Sequence, residues 1–152
     1  MQVSELMSRD VVTIGPAESC LDAVVRMQRA RVRHLPVVNR DGALVGILTD
    51  RDLRHHLFSS SVFAALGSTR VDVLLDAARV SAIMSKGVFT VGPGASLGEA
   101  ADTMRKHRVG SLPVVENGRM VGILTEVDVL RDIVRADASC GPECAEVIVS
   151  YP

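Results

Sequence analysis

Two short stretches of the chain combine residue types that could bind a ligand. Each places a Thr three positions before an Asp, at Thr49 and Asp52 and again at Thr125 and Asp128, and each follows the apolar run Gly-Ile-Leu. A Thr hydroxyl is suited to cap a helix, and an acid is favourable at the positive N-terminal end of a helix. The motif therefore indicates either a capped helix alone or a binding site at a helix start. Because both copies keep the acid after the same apolar run, we favour a binding site.

The two stretches belong to a longer tandem repeat. Three further blocks recur in the same order: Val3–Ser8 with Val80–Ser85, Val11–Pro16 with Val88–Pro93, and Leu35–Val38 with Leu112–Val115. The offset is 77 positions through these blocks, as between Leu35 and Leu112, and it falls to 76 at the turn that contains Gly42 and Gly118. This pattern is that of a tandem duplication with one residue deleted in a turn. We therefore expect two copies of one supersecondary unit.

Composition and charge narrow the class of protein. The 152 residues are 47% hydrophobic and 3% aromatic, without Trp, so we expect a folded domain whose core consists of aliphatic residues and Met. The net charge of −1 argues against a general nucleic-acid binder or a membrane-surface protein. No apolar run approaches the ~20 residues of a transmembrane helix, and the first residues lack a basic segment followed by an apolar one, so we expect neither a membrane span nor a signal peptide. The odd count of three Cys indicates reduced thiols and a cytoplasmic protein.

Each repeat is predicted to contain a strand, a helix, two strands joined by a turn, and a closing helix. In the first repeat these elements are the strand Val11–Ile14, a helix capped by Ser19, a strand from Leu35, the strand Leu44–Leu48 and the helix Asp50–Phe58. In the second repeat they are the strand Val88–Val91, a helix from Ser96 through Met104, strands at 112–115 and 120–124, and a helix over 126–135. A helical turn at 3–8 leads into the first repeat, and Cys20 is predicted to be buried. We expect repeats at 3–58 and 80–135, a linker with helical turns at 59–79, and a tail at 136–152.

The tail contains a pair of thiols, Cys140 and Cys144, separated by Gly-Pro-Glu. Two Cys without a nearby cluster of His or further Cys are too few ligands for a closed zinc site. The pair is therefore either two thiols in a loop or a redox pair. The apolar end of the tail, at 146–151, is compatible with an edge strand.

Together, these blocks resemble the cystathionine β-synthase (CBS) domain. The resemblance rests on the strand ending in Gly-Pro, the helix, Leu-Pro-Val-Val, the Gly turn and Gly-Ile-Leu-Thr-x-x-Asp, which occur twice and cover nearly all of 3–135. It implies an α/β (α+β) fold in which two β-α-β-β-α halves are related by pseudo-twofold symmetry, as in a tandem CBS pair or Bateman module. It also implies a disc-shaped homodimer of two pairs, and binding of AMP, ADP, ATP or S-adenosylmethionine in clefts between the halves.

The resemblance assigns roles to the Thr-x-x-Asp motif and to the apolar segments. It implies that Asp52 and Asp128 each accept hydrogen bonds from the two hydroxyls of a ribose, with support from Thr49 and Thr125; such charge-assisted bonds are stronger than neutral ones. An adenine ring would occupy a flat apolar slot in each half. The residues implied are Val12, Thr13, Ile14 and Pro36 in one half, and Phe89, Thr90, Val91 and Pro113 in the other. For any one of them, plain core packing is the alternative.

Basic residues before each Leu-Pro are candidate phosphate ligands, because a guanidinium matches the geometry of phosphate oxygens. The resemblance pairs Arg33-His34 with the ligand held by Asp128 of the other half. In the second repeat the basic run ends at His107-Arg108, and the positions directly before Leu-Pro are Gly110-Ser111. We therefore predict two unequal sites, with the weaker phosphate contact at Asp52. A solvated helix face is the alternative interpretation of the basic run.

The sequence favours a non-catalytic regulatory module that senses an adenosine-type ligand and passes a conformational shift to a regulated partner protein. No Cys-His or Ser-His-Asp pattern supports an enzyme, and no cofactor is required. His55 and His56 diverge on a helix and make a poor metal site. The alternative is an interaction or dimerisation module that has no physiological nucleotide, while the balanced charge disfavours a nucleic-acid partner.

Overall fold

The computed structural model describes residues 1–57 and 71–137. In chain order the elements are α1 (Val3–Leu6), α2 (Cys20–Ala30), β1 (His34–Val38), β2 (Leu44–Thr49), α3 (Asp50–Leu57), α4 (Val71–Ala77), α5 (Val80–Ile83), α6 (Leu97–His107), β3 (Ser111–Glu116), β4 (Arg119–Thr125) and α7 (Glu126–Ala136). The first part of the predicted linker, at 59–70, lies outside the described residues, as do the thiols Cys140 and Cys144 and the apolar end of the tail. None of the described helices has the length and apolar character needed to cross a bilayer.

Each repeat forms an antiparallel strand pair flanked by helices. Strand β1 pairs with β2 so that Leu35 lies opposite Leu48, and β3 pairs with β4 so that Leu112 lies opposite Leu124. In both pairs the register shifts once, directly after Leu-Pro-Val. The mixed helix and strand fold with two matching halves, predicted from the repeat, is confirmed.

Local sequence explains where the long helices begin. Ser19 and Ser96 precede α2 and α6, and each hydroxyl accepts the N–H of an acid three residues later, Asp22 or Glu99. Each acid in turn accepts the backbone N–H of its Ser, at 3.2 and 2.8 Å, which completes a capping box. The predicted Ser19 cap is confirmed. Helix α6 continues past the predicted end to His107, because the basic residues of its last turn are favourable at the negative end of a helix.

The two segments predicted as first strands are not regular strands. Among the described residues, Val11–Ile14 makes one isolated bridge, in which Ile14 lies parallel to Val37. Val88–Val91 forms the matching isolated bridge through its last residue. The Gly-Pro that follows each segment ends the pairing after one bridge, because Pro has no N–H to donate to a ladder.

Two apolar cores lie against the strand pairs. The first contains Leu35, Val37 and Leu48 together with residues of α2, and the second contains the repeat-equivalent residues of β3 and β4 together with residues of α6. Cys20 is fully buried in the first core, as predicted, and its burial raises the pKa of the thiol to about 11. A thiol with this pKa is protonated and inert at neutral pH.

The first helix of each repeat packs on the core of the other repeat. Val3 and Met7, on and after α1, belong to the second core, whereas Val80 of α5 belongs to the first. Residues 3–8 contain the predicted helical turn, but its apolar side chains cover the core of the second repeat and not that of the first. Sequence periodicity finds the repeat unit but contains no information on which copy an apolar helix will cover.

Backbone pairing fixes both crossed segments. Ser8 and Ile123 exchange two N–H···O bonds of 2.9 Å, which hold the segment after α1 along β4. Ser85 and Ile47 exchange two bonds of the same length, which hold the segment after α5 along β2. The segment after each crossed helix thus adds one antiparallel bridge to the strand pair of the opposite repeat.

A glycine in each strand allows this close approach. A Cβ atom on Gly122 would lie 2.7 Å from Sδ of Met7 and 2.9 Å from the carbonyl oxygen of Ser8. A Cβ atom on Gly46 would lie 2.5 Å from Sδ of Met84. The Gly of the repeated Gly-Ile-Leu run therefore has a packing role: it leaves room for the methionine that follows the crossed helix.

Candidate functional site

Both Thr-x-x-Asp motifs adopt the same geometry. Oγ1 of Thr49 donates to Oδ2 of Asp52 at 2.7 Å and accepts the Asp52 N–H at 3.2 Å. Thr125 and Asp128 make the same two bonds at 2.7 and 3.4 Å. In each motif Oδ2 also accepts the backbone N–H of the Thr at 2.9 Å. The cap thus engages only one carboxylate oxygen, Oδ2, so the cap itself does not prevent Oδ1 from making a further contact.

Asp52 lies in a cleft of about 790 Å³, named the Asp52 cleft. Thr49, Asp52 and Arg54 of the first repeat form one wall, and Phe89, Arg108 and Gly110 of the second repeat form the facing wall. The volume falls within the ~300–1,000 Å³ that is usual for small-molecule sites. A ligand in this cleft would contact both repeats.

Asp128 lies in a second cleft of about 350 Å³, named the Asp128 cleft. Thr125, Asp128 and Arg131 come from the second repeat, and Val12 and Arg31 come from the first. The Asp128 side chain is 13% exposed, and its Oδ1 is 3.5 Å from a guanidinium nitrogen of Arg131. The two clefts therefore follow one plan, in which the carboxylate of one repeat faces basic residues of the other.

A shared wall separates the clefts. Arg33, His34 and Glu126 line both of them. The carbonyl oxygen of Arg33 accepts the N–H of Asp50 at 3.1 Å, while its guanidinium lies 3.9 Å from Oε1 of Glu126. Arg33 thus contacts the first residue of α3 through its backbone and the first residue of α7 through its side chain.

His34 is a neutral group within this wall. Desolvation by burial lowers its pKa below 6.5, and the nearby charge of Arg33 lowers the pKa further. Asp50, Glu126 and Asp52 oppose the shift but do not reverse it. Gly110 leaves room for the ring, since a Cβ there would lie 3.3 Å from its Nε2. At neutral pH, His34 therefore offers one nitrogen donor and one acceptor, and no charge.

The structure distributes the sequence-predicted residues among the two clefts and the core. The Asp52 cleft contains Thr49, Asp52, Arg33, His34, Phe89 and Arg108, and the Asp128 cleft contains Thr125, Asp128, Val12, Arg33 and His34. Gly110-Ser111 lies in the Asp52 cleft, opposite Asp52. Ligand contact by these residues stays a prediction, as does the inequality of the two sites.

The other predicted residues do not line either cleft within the part of the chain described: Thr13, Ile14, Pro36, Thr90, Val91, His107 and Pro113. Ile14, Pro36 and Pro113 are fully buried and serve core packing. The carbonyl oxygen of Thr13 is engaged by Arg26 at 2.7 Å. A pattern of apolar residues cannot distinguish such buried packing residues from those of a ligand slot.

His107 does not line the Asp52 cleft, but it contacts a residue that does. Its ring stacks on Phe89 with 3.7 Å between ring centroids and 20° between ring planes. Phe89 is 42% exposed and lines the Asp52 cleft, while its equivalent in the Asp128 cleft is Val12. The Asp52 cleft thus has an aromatic wall that is held in place by an imidazole.

Sequence reasoning missed Glu126, and it included Arg31 only as one member of a run of candidate phosphate ligands. Glu126 occupies one of the two variable positions of Thr-x-x-Asp, where the pattern gives no signal. Arg31 was one of a run of basic residues, and its position 77 residues before Arg108 was the available signal. Both arginines end their helices in the left-handed conformation, which basic composition alone does not indicate.

Comparison with known proteins matches this arrangement. The CBS domain model matches residues 3–59 and 80–135. A CBS domain-containing protein of Dictyostelium discoideum is 38% identical over 130 residues, which are 84% of this chain and 88% of the relative. The structure of protein MJ1225 of Methanocaldococcus jannaschii, a proposed archaeal homologue of γ-AMPK, matches with a TM-score of 0.79 and 34% identity over 87% of this chain and 47% of that one.

A further solved structure is the CBS domain pair of protein MJ0100 in complex with 5-methylthioadenosine and S-adenosyl-L-methionine. It matches with a TM-score of 0.72 and 25% identity over 90% of this chain and 98% of that one. The chain spans less than half the length of some relatives, 46% of MJ1225 and 44% of a protein from Thermofilum pendens. From the two matched segments and the shared fold, we conclude that the chain belongs to the CBS domain family, with two CBS domains in tandem.

Proposed function

We propose that the chain is a non-catalytic regulatory module that binds adenosine-type ligands in the Asp52 and Asp128 clefts and transmits binding to a partner protein. One observation carries the proposal: each cleft places the helix-capping carboxylate of one repeat opposite basic residues of the other repeat. Such a site suits a molecule with a diol at one end, and its ligand would bridge the two repeats.

The relatives support this class of ligand. The CBS domain pair of MJ0100 was solved with two adenosine-containing molecules, and MJ1225 is a proposed homologue of a subunit of AMPK. The candidates for this chain are AMP, ADP, ATP and S-adenosylmethionine. Because each ligand would contact both repeats, binding would change the angle between them. The chain would then have two conformations, which differ in this angle. Binding can change the affinity for a partner protein only if the ligand has a different affinity for each conformation.

Calorimetric titration of the four candidates into the full chain tests the proposal. The variants Asp52→Asn and Asp128→Asn keep the helix caps, because an amide oxygen still accepts the Thr N–H, but they remove the charge that holds the diol. Each should weaken binding in its own cleft by roughly tenfold or more, while Asp41→Asn, in the exposed β1–β2 turn, should not.

A melting experiment gives an independent readout. A ligand at about 100 times its dissociation constant should stabilise the folded chain by roughly 2.7 kcal/mol. If none of the four compounds binds or stabilises a folded, ligand-free preparation, the adenosine assignment is wrong.

A second candidate function, homodimerisation through α7, has its own observation. Four apolar residues of this helix are 43 to 65% exposed: Val127, Leu130, Ile133 and Val134. None of the α7 residues is buried within the described chain. An apolar helix face of this kind marks an interaction surface, and a second copy of the chain is the partner that we propose. Asp128 lies on the same helix, so dimer contacts and ligand contacts would be joined by one rigid element.

A further inference from the structure

Helix α4 covers an apolar site on the first repeat. Its residue Leu75 is 5% exposed and belongs to the first core, together with Met27 of α2 and Leu53 of α3. A hollow of about 360 Å³ lies beside Leu75, between the three helices, and Leu57 of α3 lines it and is half-buried. The helix that follows α3 in the chain therefore completes the packing of the first repeat.

The equivalent site on the second repeat is open among the described residues. The counterparts of Leu53 and Leu57, 76 positions later, are Val129 and Ile133 of α7. Val129 packs on the second core, to which Met104 of α6 belongs. Ile133, however, is 56% exposed, whereas Leu57 is half-buried. We name the site formed by Met104, Val129 and Ile133 the α6–α7 groove.

Backbone contacts explain why the groove is open. In the first repeat, the carbonyl oxygen of Ala78, which follows α4, accepts the N–H of Cys20 at 2.9 Å. In the second repeat, Met1 takes this place, because its carbonyl oxygen accepts the N–H of Leu97 at 3.2 Å. Both pairs are related by the repeat offset of 77. The place that α4 occupies in the first repeat thus has no counterpart among the described elements of the second.

A segment of the tail, outside the described residues, has the sequence position of a second α4. Helix α4 begins 14 positions after Leu57, and Val147 stands 14 positions after Ile133. The offset of 76 that relates α3 to α7 therefore relates the first five residues of α4 to 147–151. Apolar residues coincide at alternate positions of the two segments: Val71 with Val147, Val73 with Val149, and Leu75 with Tyr151. Tyr151 is thus the counterpart of the residue that fills the site on the first repeat.

The connection is long enough for this segment to reach the groove. Ten residues, 137–146, separate Ala136 at the end of α7 from Val147. Ten extended residues span up to about 33 Å, whereas a helix with the eleven residues of α7 is about 16 Å long. The chain after α7 can therefore return along the helix as far as Ile133.

We propose that segment 147–151 covers the α6–α7 groove of its own chain, with the side chain of Tyr151 packed on Ile133. A tyrosine suits such a site at the surface, because its ring buries apolar area while its hydroxyl group stays in contact with water. The tail would then stabilise the helix whose first turn contains Asp128.

This packing leaves room for a dimer through α7. Leu130 is the counterpart of Arg54, which is exposed although α4 covers its repeat. Val127 is the counterpart of Arg51, which is exposed as well. The tail would therefore cover Ile133 and leave Leu130 and Val127 to a second copy of the chain.

Tyrosine fluorescence measures this packing directly, because Tyr151 is the one tyrosine of a chain without tryptophan. Quenching of its emission by acrylamide is measured in the full chain, under reducing conditions and without nucleotide. Ile133→Glu is the test variant. Val134→Glu is the matched control, because it makes the same change at the neighbouring position of α7, which is 65% exposed. Light scattering reports the oligomeric state at each protein concentration.

In the wild-type chain, acrylamide should quench Tyr151 several-fold less than in the urea-unfolded chain. Ile133→Glu should raise the quenching nearly to the unfolded level, and Val134→Glu should leave it unchanged. Equal quenching in the folded and unfolded chains, or in Ile133→Glu and the wild type, overturns the proposal. Protection that disappears when the protein is diluted to a monomer means that a second copy covers Tyr151, and it also overturns the proposal.

Thermal unfolding gives a second readout. Tyr151→Ala should lower the Tm of the wild-type chain by roughly 4–10 °C and that of Ile133→Glu by much less, because the contact is already lost in this variant. Equal lowering in both backgrounds means that the two side chains do not interact, and it overturns the proposal. No ligand takes part in these measurements, so their outcome is independent of the proposed binding of adenosine-type ligands.

Discussion

Gly122→Ala tests whether the crossed packing of α1 shapes the Asp128 cleft. The new Cβ would lie 2.7 Å from Sδ of Met7 and 2.9 Å from the carbonyl oxygen of Ser8. A flexible thioether can move away, but the Ser8 oxygen belongs to the backbone bridge with Ile123 and cannot move alone. The variant must therefore lengthen or break this bridge.

The expected cost follows from this geometry. Overpacking of a well-packed site destabilises a protein by about 1–3 kcal/mol, and a backbone clash belongs in the upper part of this range. For a chain of this size, each kcal/mol lowers Tm by roughly 2–4 °C. Gly94→Ala is the matched control, because no atom lies within 4 Å of the Cβ position there. Its free energy of unfolding should stay within about 0.5 kcal/mol of the wild type.

Urea denaturation followed by circular dichroism measures the stability difference, and titration with AMP measures its effect on the cleft. Ser8 and Ile123 both line the Asp128 cleft, so Gly122→Ala should weaken binding there and spare the Asp52 cleft. Gly46→Ala should show the reverse selectivity, because Ile47 lines the Asp52 cleft. Equal stability of Gly122→Ala and Gly94→Ala would refute the crossed packing of α1 on the second core.

Three further predictions concern the cap, the shared wall and α7. Thr125→Ala removes the hydroxyl that accepts the first-turn N–H of α7 and should cost about 1 kcal/mol in urea denaturation, whereas Thr125→Ser should retain most of the stability. His34 has a lowered pKa in the folded chain, so the unfolded chain binds more protons, and the free energy of unfolding should fall as pH decreases through 6.5. In His34→Gln this part of the pH dependence should disappear. If the wild-type chain and His34→Gln show the same dependence of stability on pH between 8 and 5, the burial of the ring is contradicted. Leu130→Glu, at an exposed site of α7, should convert a dimer into a monomer in light scattering while the circular dichroism spectrum stays that of the folded chain. A monomeric wild-type chain would rule out the dimer.

The repeat made much of the fold predictable. Leu35 and Leu112 share one apolar context, and the strands and helices around them form where the periodicity indicates. The failures are long-range effects. Val11–Ile14 has strand composition but makes one isolated bridge, and α1 crosses to the second core. Both results depend on contacts with residues distant in sequence, which the local pattern does not specify.

The part of each candidate site that belongs to a motif of fixed spacing could be predicted from the sequence. Asp52 and Asp128 line clefts because the Thr-x-x-Asp motif fixes a carboxylate at a helix start. Pro36 was not distinguishable from a ligand-slot residue, since both are apolar and close to the motif. The place of Arg31 depends on a φ angle, which the sequence specifies only through the end of α2.

Exchange of α1 and α5 between the repeats has the geometry of a domain swap carried out within a single chain. Neither CBS domain is therefore a self-sufficient module. A fragment that ends at residue 57 would carry α1 without the core that it covers, and its own core would lack Val80. The pair is the smallest unit that completes both cores, which also makes it the smallest unit in which either cleft has two walls.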